Sequence, residues 1–329
     1  MSENKILVQT NDLSKYYEVP RKKLIEKQRY VKAVEKINLE IPKGCTYGLV
    51  GESGCGKSTT GKMLAGIYSP TTGNILFDGQ DMAKLDRKSN RRTLRKIQMI
   101  FQDPYSSLNP KKKIGWILEE PLKTNTGVKG PERKRQVKQI LETVGLDESY
   151  AEKYPSELSG GQRQRQRVSI AAALILNPEF IIADEAVSAL DVSVQAQILN
   201  LMKELQKERN LTYLFISHDL NVVEFMSDYI GVMYLGNLVE CGTAEEVCRH
   251  PLHPYTQSLL SAVLDIRGPQ AERIVLEGEV PSPIDTPSGC PFHTRCGRAQ
   301  EICAKERPCL KDDGKGHQVS CHFVGEIEK

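Results

Sequence analysis

The sequence predicts an α/β fold built around a phosphate-binding loop, and three observations carry that prediction. The stretch Gly51-Glu-Ser-Gly-Cys-Gly-Lys-Ser-Thr59 fits G-x-x-x-x-G-K-[S/T]. It lies between a short apolar strand, residues 47–50, and a helical pattern, residues 59–67. A second apolar run, 180–183, ends in the acidic pair Asp184 and Glu185, and a third, 212–217, ends at His218. Polar residues thus stand at the ends of buried strands that accompany a phosphate loop.

Taken in order, residues 6–9 and 13–17 are strand material and the charged stretch 18–30 loops out. Residues 31–41 alternate again and stop at the turn Pro42-Lys-Gly44. After the loop and its helix, 69–73 is a turn, 74–77 a strand, and Asp78-Gly79 a hairpin turn. Residues 97–102 form another short strand. Residues 106–130 are rich in Pro, Gly and Lys and hold the only tryptophan, Trp116; 131–144 are helical, with a stop at Gly145. Leu158-Ser-Gly-Gly-Gln162 opens a long helix rich in Arg and Gln. Residues 192–209 form an amphipathic helix, 221–226 a short one, and 229–235 and 238–241 are strands. Beyond residue 250 prolines break the chain, 255–264 is a helix and a cysteine-bearing tail follows. This texture divides the chain into 1–250 and 251–329.

The 329 residues are 39% apolar and 26% charged, the balance of an ordinary globular protein. No apolar run approaches the roughly 18 residues of a membrane span, and the N-terminus lacks a signal-peptide pattern, so a cytosolic protein is expected. A net charge of +3 is too small to point to nucleic acid. The basic clusters at 21–27, 87–96 and 111–113 read as solvated faces, the first also able to touch lipid headgroups. Of nine cysteines, Cys290, Cys296, Cys303, Cys309 and Cys321 fall in the tail. Clustered thiols without a secretory signal point to metal rather than disulfides. Cys45, Cys241 and Cys248 read as ordinary core or half-buried residues.

Each candidate group has a chemical role. Gly51, Gly54 and Gly56 let backbone N–H groups approach a polyphosphate, with Ser53, Cys55 and Thr59 completing the cradle and Cys55 a small filler. Lys57 reaches the β- and γ-phosphates and Ser58 offers its hydroxyl to Mg²⁺. Asp184 can hold Mg²⁺, Glu185 can polarise the attacking water, Gln102 can sense metal and water, and His218 can bond the γ-phosphate. Tyr17 is open to two readings, an adenine stack or a half-buried strand tyrosine.

In this order the motifs resemble the ATP-binding cassette (ABC) ATPases: Walker A (51–59), the Gln102 loop, the signature Leu158-Ser-Gly-Gly-Gln162, Walker B ending at Asp184, then Glu185, the loop Ser188-Ala-Leu-Asp191 and the switch His218. Tyr17 matches the family's adenine-stacking aromatic. The resemblance implies a P-loop cassette with a RecA-like core, an antiparallel β subdomain and a helical subdomain. It also implies two cassettes facing head to tail, so that Ser159, Gly160, Gly161 and Gln162 act on the partner's ATP. Three departures stand out. The family runs from the signature into R-Q-R-V, whereas here Gln162 is followed by Arg163-Gln-Arg-Gln-Arg167-Val. Two extra residues turn a downstream helix face by about 200° unless a loop absorbs them. Ala172 and Ala186 replace a common Arg and Pro.

The tail resembles the extension of oligopeptide and dipeptide importer ATPases, in His250-Pro-Leu-His-Pro-Tyr-Thr256, Glu277-Gly-Glu-Val-Pro-Ser-Pro-Ile284, Pro287-Ser-Gly-Cys-Pro-Phe-His293 and His317-Gln-Val-Ser-Cys-His322. The loop Asp103-Pro-Tyr-Ser-Ser-Leu-Asn-Pro110 is similar to that subfamily too. The resemblance implies ATP-driven peptide import at the cytoplasmic face of the membrane. The implied partners are a second, paralogous ATPase, two transmembrane permeases and an extracytoplasmic solute-binding protein. Nickel or another small solute is an alternative cargo. Cys290, Cys296, Cys303 and Cys321 match the positions of a [4Fe–4S] cluster in some members, with Cys309 spare; zinc or free thiols remain open. A soluble ABC ATPase acting on DNA or ribosomes predicts a long coiled-coil insertion or a tandem cassette, which the sequence lacks. A redox-sensing regulator is the other alternative.

Overall fold

The computed structural model describes residues 5–21, 28–103, 107–158, 161–262, 274–312, 314 and 316–324. In chain order come β1 (Ile6–Glu18), β2 (Tyr30–Pro42), β3 (Thr46–Val50), α1 (Lys57–Leu64), β4 (Thr72–Phe77), β5 (Gln80–Asp81), α2 (Arg87–Lys96) and β6 (Ile97–Ile100). They continue with α3 (Ile114–Asn125), α4 (Gly130–Thr143), α5 (Gly161–Leu174), β7 (Phe180–Asp184), α6 (Val192–Arg209), β8 (Thr212–Ile216), α7 (Leu220–Met226), β9 (Tyr229–Tyr234) and β10 (Asn237–Thr243). Last are α8 (Ala244–Arg249), α9 (Pro254–Ser261), α10 (Glu301–Lys305) and the short strands β11 (Lys311–Asp312) and β12 (Gln318–Val319). The chain divides into two compact units, one built on residues 84–215 with 42–44, the other on 6–41, 45–83 and 216 onward.

In the first unit β6 and β7 pair in parallel, from Ile97↔Phe180 to Ile100↔Ala183, and β8 lies beside β7. Every residue of β7 and β8 is buried, as strands covered on both faces require. The helices α3, α4 and α5 pack on one another. α3 buries Ile114, Leu118 and Leu122, a stripe at four-residue spacing. The Pro-, Gly- and Lys-rich composition of 106–130 suggested no helix there; α3 forms with Pro121 inside it. α4 ends where expected: Gly145, at φ 69°, donates to the Glu142 carbonyl. The basic cluster at 87–96 is a helix, capped by Asp86 accepting from the Ser89 N–H and burying only Thr93.

The helix after the signature, α5, runs from Gly161 to Leu174 as one element, so no loop within it absorbs the extra Arg-Gln. Counting from Gln162, the position where the family pattern has its Val is Gln166. That residue is fully buried, and neither its Oε1 nor its Nε2 finds a hydrogen-bond partner among the described residues.

The second unit holds two groups of strands. One has the order β2-β1-β4-β5, with β1 antiparallel to β4. The other runs β11-β12-β10-β9-β3, with β3 parallel to β9 and β10 antiparallel to both β9 and β12. α7 packs so closely on β3 that a Cβ at Gly48 would stand 2.3 Å from Val223 Cγ1. The segment after residue 250 packs inside this unit. The fully buried carboxylate of Glu240, on β10, accepts from the Leu252 and His253 N–H groups at 2.7 and 2.9 Å, and contacts His317 Nε2 at 2.8 Å.

Candidate functional site

The phosphate loop joins β3 to α1. Gly51 and Gly56 have φ of 148° and 108°, and a Cβ on either would come within 2.2 Å of a backbone oxygen, of Met233 and Ala33 respectively. Only glycine fits these two positions. Gly54, at φ 78°, has open space where a side chain would stand, and Ser53 is exposed beside it. Lys57 opens α1 and is 4% exposed; its Nζ donates to the Gly51 and Glu52 carbonyls at 2.6 and 3.0 Å. Ser58 and Thr59 follow, half-buried, in the first helical turn, where N–H groups and the helix dipole favour anions. Cys55 is buried beneath the loop, its Sγ 3.6 Å from Lys57 Nζ, and burial pushes its thiol up despite that neighbour. Tyr17 is half-buried near the end of β1, within hydrogen-bonding reach of Thr59 and edge-on to Tyr68 at 6.1 Å.

In the first unit, Asp184 ends β7 and is buried, and Glu185 follows in the left-handed region at φ 49°. A non-glycine residue held there stores on the order of 1 kcal/mol of strain, a feature that concentrates at functional sites. Gln102 Nε2 donates to Glu185 Oε2 at 2.7 Å, so two residues read separately from the sequence meet. The Ser188 N–H and hydroxyl both bond the Glu185 carbonyl, and Asp191 caps α6 through the Val194 N–H. In the second unit His218 is exposed just after β8, ahead of Asp219, which caps α7. Gly161 and Gln162 begin α5, while Ser159, Gly160 and residues 104–106 lie outside the described residues.

The tail cysteines Cys290, Cys296, Cys303 and Cys321 line one cavity of about 400 Å³, together with His253, Phe292, His293 and His322. Burial pushes the Cys290 thiol to about 11 and raises those of Cys296 and Cys321, with neighbouring thiols adding to each. Cys309 is exposed; Cys45, Cys241 and Cys248 are half-buried, as expected.

Two family models match the chain: "ABC transporter" over residues 34–188 and "Oligopeptide/dipeptide transporter, C-terminal region" over 239–303. The oligopeptide transport ATP-binding protein AppF of Bacillus subtilis is 51% identical over 96% of this chain and 97% of its own length. The dipeptide transport ATP-binding protein DppF of Escherichia coli is 48% identical over 98% and 96%. The chain belongs to the ABC transporter family, among its oligopeptide and dipeptide transport ATP-binding proteins. A solved dimeric ATP-binding cassette, in a post-hydrolysis state with ADP and Pi, is 31% identical with a TM-score of 0.62, covering 72% of this chain and 99% of its own. CbiO1 of Clostridium perfringens gives 0.63 at 27% identity, covering 75% and 92%. The fold is the ABC cassette and the chain is an ATPase.

The ABC loop fits ATP on its own geometry, since its glycines are obligatory, its lysine points into it and a helix N-terminus faces it. The tail of this ABC protein fits a cluster in type and number of donors. Among the described residues, however, no three His, Cys, Asp or Glu side chains converge closely enough to hold one metal ion. What the sequence did not reveal is how the tail reaches Walker A. Glu52 pairs with Arg295 and with Tyr255, across sequence separations of 243 and 203 residues. No local pattern announces such pairs.

Proposed function

We propose that this ATPase powers import of di- or oligopeptides from the cytoplasmic face of the membrane, to which it is peripheral. The supporting observation is the near full-length likeness to transport ATP-binding proteins named for those solutes, including the C-terminal region specific to them. Among the described residues no helix is long and apolar enough to cross a membrane. In this reading two permease partners form the path for solute and an extracytoplasmic binding protein delivers it, as the likeness to peptide transport ATP-binding proteins supports. Residues 1–250 hydrolyse ATP and residues 251–329 form the extension. A paralogous cassette supplies the facing signature, and this chain's Ser159–Gln162 stretch acts on that partner's ATP. Ser58, Asp184 and Gln102 are the residues that would hold Mg²⁺, which would supply charge neutralisation at the phosphates. Glu185 orients the attacking water, Gln102 holds its carboxylate and His218 bonds the γ-phosphate. Residues 103–110 pass the closing motion to the permeases.

Glu185→Gln is expected to leave ATP binding within about twofold and to lower hydrolysis at least about 100-fold. Near-normal turnover removes Glu185 from this role. Uptake of a labelled dipeptide by a strain lacking the gene, restored by the wild-type chain and not by Glu185→Gln, tests the cargo; restored uptake of nickel alone overturns it.

The same reading assigns a [4Fe–4S] cluster to Cys290, Cys296, Cys303 and Cys321, supported by their sharing one cavity. Thiols pushed up by burial stay protonated until a metal displaces the proton. Anaerobically purified protein is expected to absorb near roughly 400 nm with matched iron and sulfide. Colourless, iron-free protein withdraws the cluster and leaves the ATPase untouched.

A further inference from the structure

We infer that the C-terminal segment supplies two positioning residues to the phosphate loop, Arg295 and Tyr255, which act through Glu52. This rests on reading residues 51–59 as the nucleotide site. Glu52 occupies an unspecified position of the motif, yet each of its polar groups is engaged. Its carboxylate takes a forked pair from Arg295, Nη1 to Oε2 at 2.8 Å and Nη2 to Oε1 at 3.2 Å. Its N–H donates to Tyr255 Oη at 2.8 Å, and its carbonyl accepts from Lys57 Nζ at 3.0 Å. The Arg295 side chain is only 8% exposed, and Tyr255 is fully buried. A shielded, bidentate pair is far stronger and more directional than a surface one.

The clamp is itself braced. The Tyr255, Tyr234 and Phe292 rings meet at centroid distances of 4.8 to 5.4 Å. Phe292 caps the short turn His293–Arg295, which lies between Cys290 and Cys296. The turn that aims Arg295 at the loop is therefore the turn that carries two cysteines of the cavity. Charge gives the clamp a function beyond packing. A carboxylate at the second position of a loop that receives a polyanion repels it, and the Arg295 guanidinium cancels that charge. The Glu52 N–H, held by Tyr255, fixes the first bend of the cradle, and Lys57 anchors to the same residue.

The test is titration of the full-length chain with a fluorescent ATP analogue, beside a thermal melt of each variant. Arg295→Met leaves the carboxylate uncompensated and is expected to weaken analogue binding about tenfold. Adding Glu52→Gln to it removes the repulsion, and affinity returns to within about threefold of wild type. Arg295→Lys, which keeps the charge and loses the fork, falls between. Tyr255→Phe weakens binding about threefold, by loss of one hydrogen bond. A purely structural contact predicts the opposite pattern, in which the double variant is no better than the single one. That result overturns the inference, as does unchanged affinity in Arg295→Met below its melting temperature. Should Arg295→Met not fold, Arg295→Lys decides: it must weaken analogue binding at an unchanged melting temperature. Lys57→Ala separates the two readings. If it binds the analogue as well as wild type, residues 51–59 are not the nucleotide site and the inference falls with that reading.

Discussion

Around the phosphate loop every polar group of Glu52 has a partner, whereas along α5 the buried amide of Gln166 has none among the described residues. Both regions bury polar side chains, and both lie close to motifs of the ATPase. The loop was given its partners by a segment more than 200 residues away, which ends in a forked ion pair and a phenol. The helix was given two extra residues after its signature, so a polar side chain sits where the family pattern has an apolar one. Satisfaction of buried polar groups is decided by what the rest of the chain can deliver. Residue type at the position alone does not settle it.

The strongest way to break the satisfied region is at Glu240. Glu240→Leu leaves the Leu252 and His253 N–H groups and the His317 ring without their acceptor, and is expected to cost about 3–5 kcal/mol, read as a shift in urea midpoint on the full-length chain. An unchanged midpoint would mean that the tail is not held there.

Acid tests the same region more gently. Burial lowers His253 from 6.5 to about 4, partly offset by the Glu240 carboxylate facing it. The folded state therefore binds the proton later than the unfolded chain does. The stability this group contributes is complete above about pH 6.5 and is lost as pH falls towards 4, at most about 3 kcal/mol. His253→Asn keeps an acceptor for the Tyr255 N–H and should flatten that window, with denaturation midpoints from pH 7 to 4 as the readout.

The smallest effect sharpens the other side of the comparison. Gln166→Leu restores an apolar side chain to a position with no polar partner among the described residues, and should stabilise the chain by about 1–2 kcal/mol in the same denaturation assay. A loss instead would mean that the Gln166 amide is bonded after all.

What could be read beforehand follows the same division. The phosphate loop was legible because its requirements are local: two glycines without room for a Cβ, and a lysine at a fixed offset. Asp184, Glu185 and His218 were legible from apolar runs that stop at polar residues. α6 was expected over 192–209 and runs from Val192 to Arg209, bounded by Asp191 and by Asn210 in the left-handed region. α3 was missed because the Pro, Gly and Lys content of 106–130 hid the buried stripe Ile114, Leu118 and Leu122, which was there to be counted. The meeting of Gln102 with Glu185, and of Arg295 with Glu52, depends on how distant segments return to one place. No window of sequence contains that information.

The separation of 243 residues between Glu52 and Arg295 also orders events during synthesis. The unit built on residues 84–215 is nearly continuous in the chain and can close as soon as it leaves the ribosome. The unit that holds the phosphate loop is begun first and finished last, because Arg295 and His317 must emerge before Glu52 and Glu240 are paired. A message that stops short of residue 290 yields a chain with every ATPase motif and an unclamped loop. On the inference that Arg295 and Tyr255 act through Glu52, the extension ties readiness to bind nucleotide to the late arrival of residues 255–295.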